Sequence, residues 1–367
     1  MPRRSDARRA VDEQQEETPI KGGRIDRSAL RRGATIVVLL LVVSYTGIFL
    51  WAGADSLRAA WDRLEAHYVT LPLLATFLSY LTMSISYEGI VRAAGASIGS
   101  RDMFRITLVA NTANYIFPSG GLTGFALRLL FFTKRGITPG TAVAISFTQT
   151  LLTNLMLVLF VVYGLINLLL KEDIEGTPLV AAGVATALLG IGFLLLVLMI
   201  YSSAMRQRIL SVGAHAVDRV LDRTGYHGRF AARARRFFVH IDEGMGLFAG
   251  RPGAMVLPSL WIFMDWLFMM GALWLGFYAT GRPVGFSLIT IAFSVSSVLA
   301  FLSFVPGAAG VLEGSLAVTL SSLGVPIEDS ALPIFLYRFC YFIVPTVVAF
   351  FLAHGAFTGT RRAEEVL

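Results

Sequence analysis

Four ionisable side chains, Arg128, Asp265, Glu313 and Arg338, stand inside apolar runs of a chain of 367 residues. Guanidinium groups in such surroundings can grip a phosphate or a carboxylate through a two-pronged donor fork. Carboxylates there can orient those arginines or compete with an anionic cargo. Little else has the spacing of a reactive site. His215, His227 and His240 lie 12 and 13 residues apart (227 − 215 = 12, 240 − 227 = 13). Metal-binding helices use i, i+4 pairs, so no metal site is expected. Cys340, the single cysteine, can build neither a disulfide nor a thiolate metal site. The stretch GGLTG, residues 120–124, lacks the Lys and Ser/Thr ending of a phosphate loop and follows no strand. No Gly-x-Ser-x-Gly elbow and no His-Glu-x-x-His occurs. The expectation is a protein that is not an enzyme and uses no cofactor. A membrane enzyme, or an accessory subunit of one, acting on polyprenyl-linked sugars or aminoacyl-phospholipids is the disfavoured alternative, since its acid need not carry a short motif.

The elements that must hold these charges are read from composition. The chain is 55% hydrophobic and 15% charged, against roughly 25% charged for a soluble domain. It reads as an all-α, polytopic membrane protein. Most of the basic residues behind the net charge of +7 cluster in Met1–Arg32 and Arg206–Arg251. Clusters beside spans are what the positive-inside bias produces, so nucleic acid is not the expected partner. Residues 1–32 read as a disordered basic cytoplasmic tail, 33–358 as the membrane domain and 359–367 as a second cytoplasmic tail. The first apolar run is long enough to span and lacks a small-residue cleavage site close behind it, so a cleaved signal peptide is not expected.

Apolar runs of about 20 residues place six spans near Ala34–Ala52, Tyr68–Val91, Thr141–Leu170, Leu179–Tyr201, Ala254–Ala279 and Ser330–Phe357. Alternating through them puts the basic segments and both termini in the cytoplasm of a multi-pass cytoplasmic-membrane protein. Two further apolar segments, Phe104–Thr133 and Val284–Leu323, are broken by Pro118, Gly120 and Gly121 and by Pro306, Gly307 and Gly310. The halves flanking Pro118, about 14 residues or ~21 Å each, fall short of a hydrocarbon core of ~30 Å. Each broken segment reads as a re-entrant hairpin, although the first limb of the second, Val284–Val305, is long enough to cross by itself. Broken backbone at such depth survives only inside protein or beside a wet cavity.

The breaks recur at one shift: 306 − 118 = 188 and 324 − 136 = 188 for Pro306/Pro118 and Gly324/Gly136. The same shift carries the second and third spans onto the fifth and sixth, giving repeat one at about 68–163 and repeat two at about 256–351. Arg101, Arg105, Lys134 and Arg135 flank the first hairpin, a cytoplasmic mark. Arg282 and the pair Glu328–Asp329 flank the second, an external mark. The pattern is an inverted-topology repeat, which points to a substrate site near the midplane.

Asp265 lies ~16 Å into the fifth span, Arg338 ~14 Å into the sixth and Arg128 ~12 Å from the inner end of its limb, with Glu313 about as deep as Asp265. Four such charges cost on the order of 10 kcal/mol unless paired or hydrated, at ~2.5 to 3.5 kcal/mol each. Pairing of the two acids with the two arginines is therefore expected, with the partners left open. The functional expectation is that Arg128 and Arg338 hold an anionic lipid headgroup while Asp265 and Glu313 orient them. The alternative is a set of buried salt bridges that only fix helix packing. Asn111 and Asn114 precede the first break and suit capping of freed backbone groups or contact with cargo. Glu88 sits near a span end, within reach of the interface. Within residues 203–253, Phe230, Phe237, Ile241, Met245 and Phe248 recur at helical spacing, with Arg229, Arg233, Arg235 and Arg236 opposite. That segment reads as a basic amphipathic helix on anionic inner-leaflet lipid, or as a dock for a lipid-modifying enzyme.

At these residues the chain resembles the transmembrane region of lysylphosphatidylglycerol synthases, the flippase-like UPF0104 membrane family. NYIFPSGGLTGFALRLLFFTKRGITPGTA is similar to the family's Pro–Gly-rich motif followed by an Arg and a basic pair. FVPGAAGVLEGSLAVTLSSLGVPIEDS is similar to its Pro-Gly-x-x-Gly-x-x-Glu motif, with Glu313 as the acid. YRFCYFIVP, from Tyr337 to Pro345, resembles its closing Tyr-Arg…Pro pattern. The resemblance implies a helical lipid-handling protein. In bifunctional members a cytoplasmic domain makes aminoacylated phosphatidylglycerol and the membrane part moves it between leaflets. Here the chain ends at Leu367, ten residues after Phe357, so the aminoacyltransferase domain is expected to be missing and synthase activity is not carried over. Many members have an acid where this chain has Phe125, which leaves Arg128 needing a partner from elsewhere.

Overall fold

The computed structural model describes residues 66–116, 122–169, 202–224, 252–303 and 308–358, with a few isolated positions besides. All regular structure among them is helical. A 3-10 turn, Ala66–Val69, leads into α1, Thr70–Ala93; α2 is Ser100–Ile116, α3 Leu122–Thr133, α4 Pro139–Leu169 and α5 Ser203–Thr224. A second 3-10 turn, Pro252–Met255, opens α6, Val256–Ala279, followed by α7 Phe286–Ser303, α8 Val311–Ser322 and α9 Ile327–Arg338. A π turn, Phe339–Ile343, joins α9 to α10, Val344–Thr358. The expected spans at Ala34–Ala52 and, but for isolated positions, Leu179–Tyr201 lie outside the described residues, as do both tails, Pro118, Gly120, Gly121, Pro306, Gly307 and the Phe230–Phe248 pattern.

Among the described residues, three helical stretches are long and apolar enough to cross a membrane: Pro139–Gly164, Gly253–Ala279 and Ile327–Leu352. They match the third, fifth and sixth expected spans. Helix α1, at 24 residues, has the length but a different surface. Thr76, Ser79, Tyr80, Thr82, Ser84, Ser86 and Tyr87 are all buried on it, so its hydroxyls are turned into protein rather than toward lipid. Thr76 and Thr82 return their hydroxyls to carbonyls one turn back, at 2.9 Å each, which lets polar side chains sit in apolar surroundings without an unmet donor.

Four helices end in the same way. Gly95, Gly136, Gly281 and Gly324 have φ of 79°, 81°, 68° and 89°. Around each, the next residue's N–H reaches five residues back, as in Ala96 to Val91 and Arg282 to Phe277, both at 3.0 Å. These are Schellman endings, which satisfy the last carbonyls and need a left-handed residue that glycine adopts without strain. Element positions refine the single 188-residue shift read from the sequence. Helices ahead of the breaks are displaced by 186 (256 − 70 = 186, 286 − 100 = 186), and those beyond by 189 or 188 (311 − 122 = 189, 327 − 139 = 188). Helix α7 is one residue longer than α2 and the connection after it two residues longer, which accounts for the step from 186 to 189.

Helices α1 and α6 pack against each other more extensively than any other pair among the described residues. Contacts advance along α1 as they retreat along α6: Ser79 meets Asp265, and Ser86 Oγ donates to Pro258 O at 3.0 Å. The two steps are equal (86 − 79 = 7, 265 − 258 = 7), so the helices run antiparallel. Gly89 permits the close approach, since a Cβ there would lie 3.0 Å from Pro258 Cγ. Around this pair, α2 packs on α1, α3 and α10, while α7 packs on α6, α8 and α4.

The two helices flanking each break pack on each other, α2 on α3 and α7 on α8. Arg135, just after α3, pairs with Asp102 at the start of α2 at 3.3 Å. Arg282, just before α7, pairs with Asp329 at the start of α9 at 3.2 Å. The limbs have 17 and 12 residues in the first segment and 18 and 12 in the second, or ~26, ~18, ~27 and ~18 Å. They are unequal, unlike the matched halves expected about Pro118. The first limb of the second segment is also four residues shorter than the 22-residue run Val284–Val305.

Candidate functional site

The antiparallel crossing of α1 and α6 carries the first cluster. Asp265, 2% exposed, accepts a hydrogen bond from Ser79 Oγ. Ser79 Oγ also lies 2.8 Å from Tyr341 OH. Because the serine proton points at the carboxylate, the tyrosine donates to the serine. Tyr341, in the π turn, stacks on Tyr337 with centroids 5.4 Å apart and lies 5.6 Å from Tyr80 on α1. The π turn's extra residue re-aims the side chains that follow it.

The second cluster continues from the first through rings. Arg338, the last residue of α9, pairs through Nε with Glu313 Oε1, and both are almost fully buried. Glu313 is the third residue of α8, and its Oε2 accepts the Gly310 N–H at 2.7 Å. That bond satisfies a helix-start donor, as an N3 acid does in a capping box. Gly310 has φ 85°, a conformation that lets the chain turn into α8. The guanidinium Cζ of Arg338 sits 3.9 Å over the Phe342 ring, and Tyr115 on α2 reaches the same ring with centroids 4.5 Å apart. A continuous aromatic wall of Tyr80, Tyr115, Tyr337, Tyr341 and Phe342 thus links the Asp265 and Glu313–Arg338 clusters.

Arg128 lies apart. It is 6% exposed on α3, its Cζ is 5.4 Å from the centroid of the Tyr87 ring, and its Nε has no hydrogen-bond partner among the described residues. Tyr87 is seven residues, ~10 Å, along α1 from Tyr80. The expected pairing of two acids with two arginines is corrected in part. Glu313 and Arg338 pair; Asp265 and Arg128 do not meet. Similar depth in a helix says nothing about which way round its axis a side chain points, and Asp265 faces α1 and the π turn. Arg128 and Arg338 also stand in different clusters rather than side by side.

Asn114 caps: its Oδ1 accepts the Gly124 N–H at 2.6 Å, at the start of α3. Gly124 is required there, since a Cβ would come 2.4 Å from Ala110 O. Asn111 instead donates to Tyr115 OH at 3.0 Å. Glu88 pairs with Arg92 one turn on, beside a cavity of about 280 Å³ lined also by Ile85, Ser100, Leu257 and Trp261. Ser79, Tyr80, Tyr87, Tyr115 and Tyr341 were not singled out in the sequence. Ser79 had a findable signal: 265 − 79 = 186, the displacement of α1 onto α6, so it is the positional counterpart of Asp265. No group of three or more metal-ligating side chains is present among the described residues.

The chain is 20% identical to a UPF0104 membrane protein of Methanothermobacter thermautotrophicus over 303 residues, 82% of this chain and 89% of that one. It is 31% identical over 98 residues to the phosphatidylglycerol lysyltransferase of Staphylococcus haemolyticus, and 29% identical over 94 residues to that of Staphylococcus aureus strain COL. Those shorter matches cover 27% and 26% of this chain and only 12% and 11% of the lysyltransferases. Residues 35–349 match the family described as the lysylphosphatidylglycerol synthase TM region. The chain therefore belongs to the lysylphosphatidylglycerol synthase transmembrane-region family of membrane proteins.

Proposed function

We propose that the protein binds an anionic phospholipid or lipid-linked headgroup and moves it between the leaflets of the cytoplasmic membrane. The observation that carries this reading is Arg128, a buried cation with an unmet Nε and no carboxylate partner among the described residues. An arginine held that way in a membrane protein is strongly disfavoured unless something anionic answers it. A phosphate suits the guanidinium fork, and the Tyr87 face supports the cation from behind. In this reading Arg128 receives the headgroup. Arg338, with one edge on Glu313, offers the second contact along the aromatic wall, and acyl chains remain in lipid.

Six spans and two re-entrant hairpins complete the architecture we propose, arranged as an inverted repeat with both termini in the cytoplasm. Its supports are the recurring helix displacements, the antiparallel α1–α6 crossing and the ion pair that draws the outer ends of each broken segment together. Packing follows the same exchange: α2 of the first half meets α10 of the second, and α7 of the second meets α4 of the first. Transport then proceeds by rocking one half against the other. The basic segment from residue 203 to 253, in which α5 is the described helix, is read as the contact with anionic inner-leaflet lipid or with a lipid-modifying enzyme. Arg208 and Arg219 on α5 are exposed, as that contact needs.

The test is reconstitution of the full chain into liposomes containing labelled phosphatidylglycerol. Leaflet exchange above that of empty liposomes, reduced at least tenfold by Arg128→Ala, is expected. Exchange no faster than in empty liposomes would overturn the proposal.

A further inference from the structure

Asp265 is buried at the centre of the described helices without a cation. It is nine residues past Val256 and fourteen before Ala279 (265 − 256 = 9, 279 − 265 = 14), or ~14 and ~21 Å from the ends of α6. Among the described residues, its hydrogen-bond partner is the Ser79 hydroxyl, and the ion pairs are formed by other side chains. Four titratable groups interact with it: Tyr80 from α1, Tyr115 from α2, Tyr337 from α9 and Tyr341 from the π turn. All four are phenols. Arg338 and Glu313 pair with each other.

The place of the contact gives it leverage. Ser79 and Asp265 are counterparts in two helices of 24 residues each, so their hydrogen bond lies where the two helices cross. Any motion of one half against the other works on that contact. A carboxylate accepts a charge-assisted hydrogen bond from Ser79, whereas the neutral acid accepts one about half as strong. A buried carboxylate without a cation is costly, and taking up a proton removes the charge.

We propose that Asp265, served by Ser79 and Tyr341, is a proton-binding site whose loading is coupled to the lipid movement; only the coupling rests on the transport reading above. One proton enters and one O–H bond forms on the carboxylate. The chain Tyr341 O–H to Ser79 Oγ–H to Asp265 Oδ1 re-points its hydrogen bonds without net change. The chain supplies one carboxylate and two hydroxyls, too few oxygens for a divalent cation, which gathers roughly six or more. That donor set favours a proton.

Two measurements on the full-length protein test this. Infrared spectra in lipid, titrated between about pH 9 and pH 5, should show a protonated-carboxyl stretch that appears on acidification. It should be lost in Asp265→Asn and displaced along the pH axis in Tyr341→Phe, which keeps the stacked ring. A spectrum with no titrating band that separates wild type from Asp265→Asn overturns the proton site, whatever the transport result. In proteoliposomes, an imposed pH gradient should change lipid exchange several-fold in wild type but not in Asp265→Asn, equally in sodium and potassium buffers. Exchange that answers to sodium and ignores pH overturns the coupling. Wild-type exchange at the empty-liposome rate removes the transport reading, while the infrared titration still decides the proton site.

Discussion

Glu313→Ala is the perturbation with the most calculable outcome. The carboxylate does two things: it pairs with Arg338 and it accepts the Gly310 N–H at 2.7 Å. Removing one partner of a buried ion pair typically costs about 3–5 kcal/mol, because the other charge stays behind unanswered. The orphaned Gly310 N–H adds about 1 kcal/mol. The single variant should thus lose roughly 4–6 kcal/mol, enough to unfold many proteins outright. The double variant Glu313→Leu, Arg338→Met removes both charges and refills the volume, so its cost should fall to about 1–2 kcal/mol, mostly the helix-start donor. Apparent unfolding temperatures in detergent, read by tryptophan fluorescence for Glu313→Leu, Arg338→Met and the double, form the cycle. The double variant should be more stable than Glu313→Ala, with a coupling of at least ~2 kcal/mol between the positions. Additive losses would show that the pair does not hold α8 to α9, and the reasoning would fail.

Four further outcomes follow from contacts elsewhere in the structure. Gly124→Ala forces a Cβ to within 2.4 Å of Ala110 O, so it should splay α2 from α3 and lower the unfolding temperature. Gly271→Ala, with nothing within 4 Å of its Cβ, should be neutral or stabilising by up to ~1 kcal/mol. Gly324→Ala, at φ 89°, should cost about 1–2 kcal/mol through left-handed strain, measured the same way. Arg128→Lys keeps the charge but loses the fork, and it should slow lipid exchange less than Arg128→Ala does.

Helix limits were legible because span length in lipid is set by thickness. The runs Thr141–Leu170 and Ala254–Ala279 fall within two residues of α4 and α6. Glycine endings were also legible, since Gly136 and Gly324 mark a backbone conformation that few other residues adopt. The site was less so. Asp265 and Glu313 announced themselves by cost, yet Ser79 looks like any serine in an apolar helix, and only the 186-residue displacement picks it out. Pairing was illegible for a different reason. Depth can be counted along a helix, but the direction of Arg128 toward Tyr87 depends on how α3 is rolled against α1. Asn114 was readable as a cap because a broken helix must answer its freed N–H groups.

The proposed arrangement of two opposed hairpins about the α1–α6 crossing is tested most directly by which side of the membrane each hairpin opens on. The native Cys340 is buried, so a cysteine introduced at Lys134 or Glu328 can be read against a low background with an impermeant thiol reagent on intact cells. The account predicts labelling from outside at position 328 and none at position 134 until the membrane is opened. Labelling of both positions from the same side would contradict it.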